Sequence, residues 1–245
     1  VRLLLRAAAV TTVVGYASYA APAAAFIPFV RRRFPGLSGV GQHHHVALTF
    51  DDGPDPQGTP RILDELDAAN ARATFFLLGE MVERAPDVAA RLAADGHEIA
   101  LHGWHHRNSL RVTPWALRSS LRRAMRQIED ATGQRPTLYR PPYGVLTLGT
   151  LWAARSLGLR TVLWGAWGKD WTATATPSTV LSALAPELSG GATVLLHDSD
   201  CTSAPGSWRA TLGSISPLVQ QLRDRDLTVG PLRDHGAAGA AAPVG

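Results

Sequence analysis

Five clusters of residues carry side chains suited to chemistry: Asp51-Asp52-Gly53-Pro54, the histidine-rich stretch 102–106, Arg140-Pro141-Pro142-Tyr143-Gly144, Asp170-Trp171 and His197-Asp198. Adjacent aspartates repel one another and serve stability poorly unless a cation neutralises one of them. His102 and His106 stand at i and i+4, so they share a face if the segment turns helically. Two neutral imidazoles and a carboxylate make a metal triad that leaves a coordination position for water. Asp52, His102 and His106 are therefore the expected ligands, with His105, at i+3, an alternative way of filling that face. Gly103 comes directly after His102, which excludes the H-E-x-x-H protease arrangement. One divalent ion is expected, zinc first, although Asp-His-His ligation also accommodates other first-row ions.

Each cluster lies at the end of a short apolar run of strand character, and these runs alternate with helical stretches. Strands are expected over 46–50, 73–78, 98–101, 138–140, 161–164, 192–196 and 227–229. Helices are expected over 60–69, 86–94, 114–132, 146–157, 177–188 and 208–223. Such alternation specifies an α/β fold with parallel strands. Roughly 190 residues are available where a full eight-stranded barrel takes about 250, so the expectation is a distorted, shortened (β/α) barrel of about seven parallel strands. An open doubly wound sheet is the alternative, but no G-x-G-x-x-G or G-x-x-x-x-G-K pattern stands after any strand. In a parallel barrel all strand carboxyl ends open onto one rim, so the five clusters should converge.

The 245 residues hold 24 basic and 20 acidic side chains, a net charge of +4. Five of the arginines precede residue 40 and no acid does, which leaves 19 minus 20, or −1, for the remainder. No basic stripe tracks a phosphate backbone, so nucleic-acid binding is not expected. Cys201 is the only cysteine and excludes an intrachain disulfide. Residues 7–30 are uncharged and mostly small or apolar, long enough to cross a bilayer. With Arg2 and Arg6 ahead of them they read as a signal or membrane anchor, cleaved or retained, although Arg31-Arg32-Arg33 opposes export of the chain beyond it. The expected organisation is an addressing segment and linker over 1–40, a catalytic domain over 41–233 and an Ala/Gly-rich tail over 234–245, at an extracytoplasmic location.

Taken together, the five clusters resemble the motifs of the polysaccharide deacetylases of carbohydrate esterase family 4, the NodB-homology domain. The resemblance spans about residues 46–229 and implies a distorted (β/α) barrel. It implies that Asp51 is the general base and Asp52 a metal ligand, and that His102 and His106 are the other ligands, with Gly103 in place of the usual serine or threonine. Arg140 would orient Asp51, Pro142 shape the groove wall, and the Tyr143 backbone N–H hold an oxyanion. Asp170 would tune His197, the general acid, while Trp171 lines the groove and Leu195 the acetyl-methyl pocket. Trp167 stands where the family often has an acidic residue.

The implied activity is metal-dependent removal of N-acetyl groups from an extracellular polysaccharide of peptidoglycan or chitin type, releasing acetate. An O-acetyl esterase and a catalytically silent carbohydrate-binding module are the competing readings. Trp104, Trp164, Trp167 and Trp208 are further candidates for stacking on sugar rings. His43-His44-His45, His97, Cys201 and His235 are assigned no role.

Overall fold

The computed structural model describes residues 14–236. Eight parallel strands form the sheet: β1 (His45–Asp51), β2 (Thr74–Leu78), β3 (Glu98–Gly103), β4 (Leu138–Tyr139), β5 (Arg160–Thr161), β6 (Ala166–Trp167), β7 (Thr193–His197) and β8 (Thr228–Gly230). Seven take the order β5-β4-β3-β2-β1-β7-β6, and β8 pairs with the start of β1. With helices packed around it, this curled sheet is a distorted, incomplete (β/α) barrel. The central strands are buried on both faces, which explains their near-continuous apolar sequence.

Alternation along β1 divides the core. Val46, Leu48 and Phe50 pack outward with Ile62, Leu63 and Leu66 of the helix Gly58–Ala68, whereas Ala47 packs inside with Phe76, Ala100, Leu138 and Val162. Thr49 and Asp51 share the inward parity of Ala47, so a charged side chain is directed into the barrel mouth.

The expected strand over 161–164 is instead two strands of two residues, on opposite edges of the sheet: β5 pairs with β4 and β6 with β7. The chain between them crosses the open seam of the barrel. Its backbone is satisfied by unusual partners, because Arg140 Nε and Nη2 donate to the carbonyls of Val162 and Leu163 at 3.3 and 2.7 Å. The Leu163 N–H donates to the carbonyl of Leu37 at 2.7 Å. A short helix, Gly79–Arg84, lies outside the expected set, and the expected helix over 177–188 ends at Leu184 in a 3-10 turn, Ala185–Glu187, that contains Pro186.

The helix Pro114–Thr132 has its signals in sequence. Thr113 caps it by accepting from the Ala116 N–H, Pro114 occupies its first turn, Leu121, Ala124, Met125 and Ile128 form its buried stripe, and Gly133 ends it at φ 68°. In the helix Leu148–Arg155, Thr147 and Thr150 form a reciprocal capping box.

Of the expected addressing segment, residues 1–13 lie outside the described residues, as do 237–245 of the expected tail. Residues 14–20 are helical and lead into a 3-10 helix, Ala21–Phe26, and two single turns, Pro28–Arg31 and Pro35–Ser38. Among the described residues no helix is long and apolar enough to cross a membrane. The segment lies against the barrel: Ala25 is buried with Leu146, Leu163, Trp164 and Leu195. The Arg31 guanidinium is buried over the Trp164 ring, 5.1 Å from its centroid, and Arg32 pairs with Glu187. At the other end His235 is fully buried, with its Nδ1 2.7 Å from His45 Nδ1.

Leu66 is fully buried and Leu148 is half exposed. Leu66→Ala is expected to lower the unfolding free energy by about 2–5 kcal/mol, and Leu148→Ala by less than about 0.5 kcal/mol, both read from urea unfolding midpoints.

Candidate metal centre and active site

Strand register places the acid and base candidates side by side. Asp51 is paired with His197 across β1 and β7, and Leu195 with Trp167 across β7 and β6. Arg140 comes directly after β4 and donates its backbone N–H to the Leu101 carbonyl, which seats it beside His102. The result is a cavity of about 300 Å3 at the carboxyl ends of the strands. Asp51, Asp52, His102, His106, Tyr143, Trp171, Leu195 and His197 all line it. Arg140 and Asp170 lie beneath, buried and in contact with the lining.

Asp52 faces both histidines. Its Oδ1 lies 3.3 Å from His102 Nε2 and 3.4 Å from His106 Nε2, and one donor atom from each of the three residues falls within 4.8 Å of the others. The His102 Nδ1–H donates to the Arg140 carbonyl at 2.8 Å, a bond that fixes the tautomer and leaves the Nε2 lone pair turned to Asp52. Burial, opposed by Asp52, pushes the His106 pKa down to about 4, so that imidazole is neutral near pH 7. Asp52 Oδ1 is buried and has no hydrogen-bond donor. Burial works to raise the Asp52 pKa, but a hydrogen bond and charge from His102, and the charge of His197, hold it well below the usual carboxylate range. A buried carboxylate oxygen with one imidazole nitrogen from each of two histidines facing it at 3.3 and 3.4 Å is a donor set that suits a divalent metal, so the residues fit one. The other carboxylate oxygen, Oδ2, accepts from the Thr202 hydroxyl at 2.9 Å.

The shared face of His102 and His106 does not come from a helical turn. His102 is on β3, and the chain bends sharply after it because Gly103 adopts φ 140°, where a side chain would be strained and would also press on the His105 carbonyl at 3.2 Å. Glycine at this position makes the bend that returns His106 to Asp52. His105 turns away, with its Nδ1 2.9 Å from Glu80 Oε2.

On one side of the triad, Asp51 Oδ1 accepts from Arg140 Nη1 at 2.7 Å. Arg140 Nη1 also reaches Thr49 Oγ1 at 2.8 Å, and the Phe76 ring lies 4.0 Å from the guanidinium carbon. Burial lowers the Arg140 pKa, and Asp51 opposes the drop. On the other side, His197 Nδ1–H donates to Asp170 Oδ1 at 2.8 Å. Asp170 Oδ2 in turn accepts the His197 backbone N–H at 2.7 Å and the Thr211 hydroxyl at 2.6 Å. Burial opposes charge on the His197 ring, yet Asp170, with Asp52 and Asp51, lifts its pKa to about 10.

Two lining residues other than glycine hold left-handed backbone, Asp52 at φ 80° and Tyr143 at φ 59°, as does Lys169, beside Asp170, at φ 51°. Such conformations cost about 1–3 kcal/mol each and persist where surrounding structure enforces them. Tyr143 is half exposed at the rim, its ring edge-on to His106 with centroids 4.3 Å apart. Beneath Asp52, Gly53 lets the chain approach Asp198, whose buried carboxyl accepts from the Thr59 hydroxyl at 2.5 Å and is pushed up by burial to about 7.

The other candidates divide between the cavity and the core. Trp164 and Trp167 join Trp171 in the cavity wall, Trp167 stacked on Trp171 at 4.5 Å. Pro142 does not line the cavity. It is buried behind the wall, against a separate small cavity with Gly103, Trp104 and Tyr139. Trp104 and Trp208 are also buried away from the rim, under Arg123 and beside Gly58. Thr49, which opens the first of the motif-like stretches, belongs to the site through Arg140, and Thr202, Ser203 and Thr211 belong to it without having stood out in sequence.

The sequence profile of the polysaccharide deacetylase family matches residues 39–162. A chitooligosaccharide deacetylase of Bradyrhizobium is 36% identical over 220 residues, covering 84% of this chain and 97% of that protein. A peptidoglycan-N-acetylglucosamine deacetylase of Bacillus cereus is 32% identical over 190 residues, covering 77% and 67%. Among solved structures, the family 4 carbohydrate esterase from Streptomyces lividans in complex with acetate superposes with a TM-score of 0.70 at 27% identity, covering 80% of this chain and 98% of that one. The profile match over the strands that carry Asp51, Asp52, His102, His106 and Arg140, and a relative matched over nearly its whole length, establish that the chain belongs to the polysaccharide deacetylase family.

Proposed function

We propose that the protein hydrolyses the acetamide of N-acetylglucosamine units in a polysaccharide of peptidoglycan or chitin type, releasing acetate, and that it does so with one divalent ion, zinc first, held by Asp52, His102 and His106. The observation that carries the reading is the placement of Asp51 and His197 on paired strands beside that triad, each with its outer atom tied to a buried partner. What a divalent cation supplies in such a donor set is Lewis acidity toward a carbonyl oxygen and toward water.

The chain's own groups account for the proton movements. The bond from Arg140 occupies Asp51 Oδ1, leaving Oδ2 to accept a proton from the attacking water. Attack makes the acyl carbon tetrahedral, and the Tyr143 backbone N–H, held in its left-handed turn, is assigned to the developing oxyanion. His197 carries its Nδ1 proton against Asp170, so Nε2 delivers the other proton to the departing amine. Leu195, Trp164 and Gly144 enclose a small acyl group, while the stacked Trp167 and Trp171 offer an aromatic wall to a sugar ring. An extracytoplasmic location, with residues 1–40 as addressing segment and 41–233 as catalytic domain, belongs to this reading, since its substrate is a wall or matrix polymer.

Acetate release from chitooligosaccharides and peptidoglycan, compared with O-acetylated xylan, tests the assignment. Release from the N-acetyl substrates is expected, lost with a chelator and restored by zinc; release from xylan alone, or indifference to chelator, contradicts it. Asp51→Asn should cut turnover by about 10²–10⁴-fold with zinc content retained, and near-normal turnover would refute the base assignment. Asp170→Asn removes the charge that keeps His197 protonated. The alkaline limb of the kcat/KM profile should therefore move to lower pH by about one to two units, whereas a purely structural role would lower the whole profile without moving that limb.

A further inference from the structure

The helix Leu148–Arg155 stands at the centre of a face that the cavity does not use. Its outward side chains include Leu148, 52% exposed, and Trp152. Trp115, in the first turn of the helix Pro114–Thr132, is 72% exposed and stacks on Trp152 with centroids 4.7 Å apart and 26° between the planes. The N-terminal segment packs onto the same helix. The Tyr19 hydroxyl meets Thr147 Oγ1 at 3.2 Å, and any side chain at Gly149 would strike Tyr19 and Pro114. Phe34, exposed, lines a hollow with Leu151 and Arg155 and extends the face. The exposed Val14 and Tyr16 continue along helical residues 14–20, which the uncharged stretch 7–13 precedes.

Charge on this face is one-sided. The three stretches that build it, 14–38, 107–128 and 142–160, hold eleven arginines and no aspartate or glutamate, so the rest of the chain carries 13 basic and 20 acidic residues, a net −7. Arg32 and Arg123 reach outside these stretches to Glu187 and Glu83, and Arg31 is buried. Arg118, one turn from Trp115, is bonded to the Ser156 hydroxyl, and Arg155, one turn from Trp152, is exposed. A contiguous apolar patch on a soluble domain marks a contact surface. Indoles with arginines beside them suit the headgroup layer of a bilayer, with the ring at the acyl boundary and the cation on lipid phosphate.

We propose that this face docks on an anionic lipid bilayer, with Trp115, Leu148 and Trp152 inserted to headgroup depth and Arg118 and Arg155 on the phosphates. The acid-free arginines and the continuity with the uncharged stretch 7–13 favour lipid over a neutral glycan as the occupant. Residues 145–147 join the Tyr143 turn, at the cavity rim, to the helix Leu148–Arg155. Docking of this face does not depend on the reaction proposed for the cavity.

Vesicles of phosphatidylglycerol mixed with brominated phosphatidylcholine, which quench tryptophans that enter the bilayer, test it with the full chain. Quenching of the wild-type protein is expected, with most of it lost in Trp115→Ala/Trp152→Ala. Arg118→Glu/Arg155→Glu should weaken vesicle binding by about tenfold or more, at an unchanged thermal unfolding midpoint that reports an intact fold. Absence of quenching, or quenching equal in wild type and the tryptophan variant, would overturn the proposal. So would pelleting with peptidoglycan that Trp115→Ala/Trp152→Ala abolishes while bromolipid leaves the fluorescence unchanged, a result that gives the face to a glycan.

Discussion

A single buried guanidinium organises the site. Arg140 is wholly inaccessible, and its donors go to Asp51, Thr49 and the carbonyls of Val162 and Leu163, while its own carbonyl accepts from His102. One residue thus fixes the carboxylate expected to move a proton, bonds Nδ1 of a candidate metal ligand and closes the seam that the sheet leaves open between β5 and β6. A buried charge is tolerable only when fully paired; removing one partner of such a pair costs about 3–5 kcal/mol. Lysine lacks the planar fork to reproduce these bonds, so the position tolerates no conservative exchange.

Around that anchor the site divides its ionisable groups by environment. On the Asp52 side burial holds His106 neutral, and the Arg140 carbonyl takes the His102 Nδ1 proton and so leaves Nε2 facing Asp52. The histidine on the far side is held protonated by Asp170. The same side-chain type thus meets different surroundings within one cavity, His102 giving its Nδ1 proton to a carbonyl and His197 to a carboxylate. A cation held in the triad would repel the His197 imidazolium and so oppose the rise that the carboxylates cause.

Much of the site was legible in sequence because strands of a parallel barrel leave their chemistry at one rim. The apolar runs ending in Asp51, His102, Arg140 and His197 announced both the elements and the convergence of their carboxyl ends. Other parts depended on contacts that sequence does not display. The pairing of His102 with His106 looked helical from spacing, but a strand end and a glycine at φ 140° achieve it. One expected strand became two because its residues serve opposite sheet edges. Trp104, Trp208 and Pro142 share the composition of groove residues yet are buried elsewhere, since residue type alone does not say which side of a wall a ring occupies. Thr202 and Thr211 come from a loop and a helix with no pattern of their own, and only folding sets their hydroxyls against Asp52 and Asp170.

The proposed hydrolysis rests on a metal ion gripped by three residues that the fold brings together from separate stretches of chain. Diffraction from zinc-soaked crystals, collected on both sides of the zinc absorption edge, locates the ion directly. One strong anomalous peak is predicted, bonded to Asp52 Oδ1, His102 Nε2 and His106 Nε2, with Asp51 and His197 flanking it. Zinc held at other residues, such as His43-His44-His45, with none between these three, would contradict the assignment.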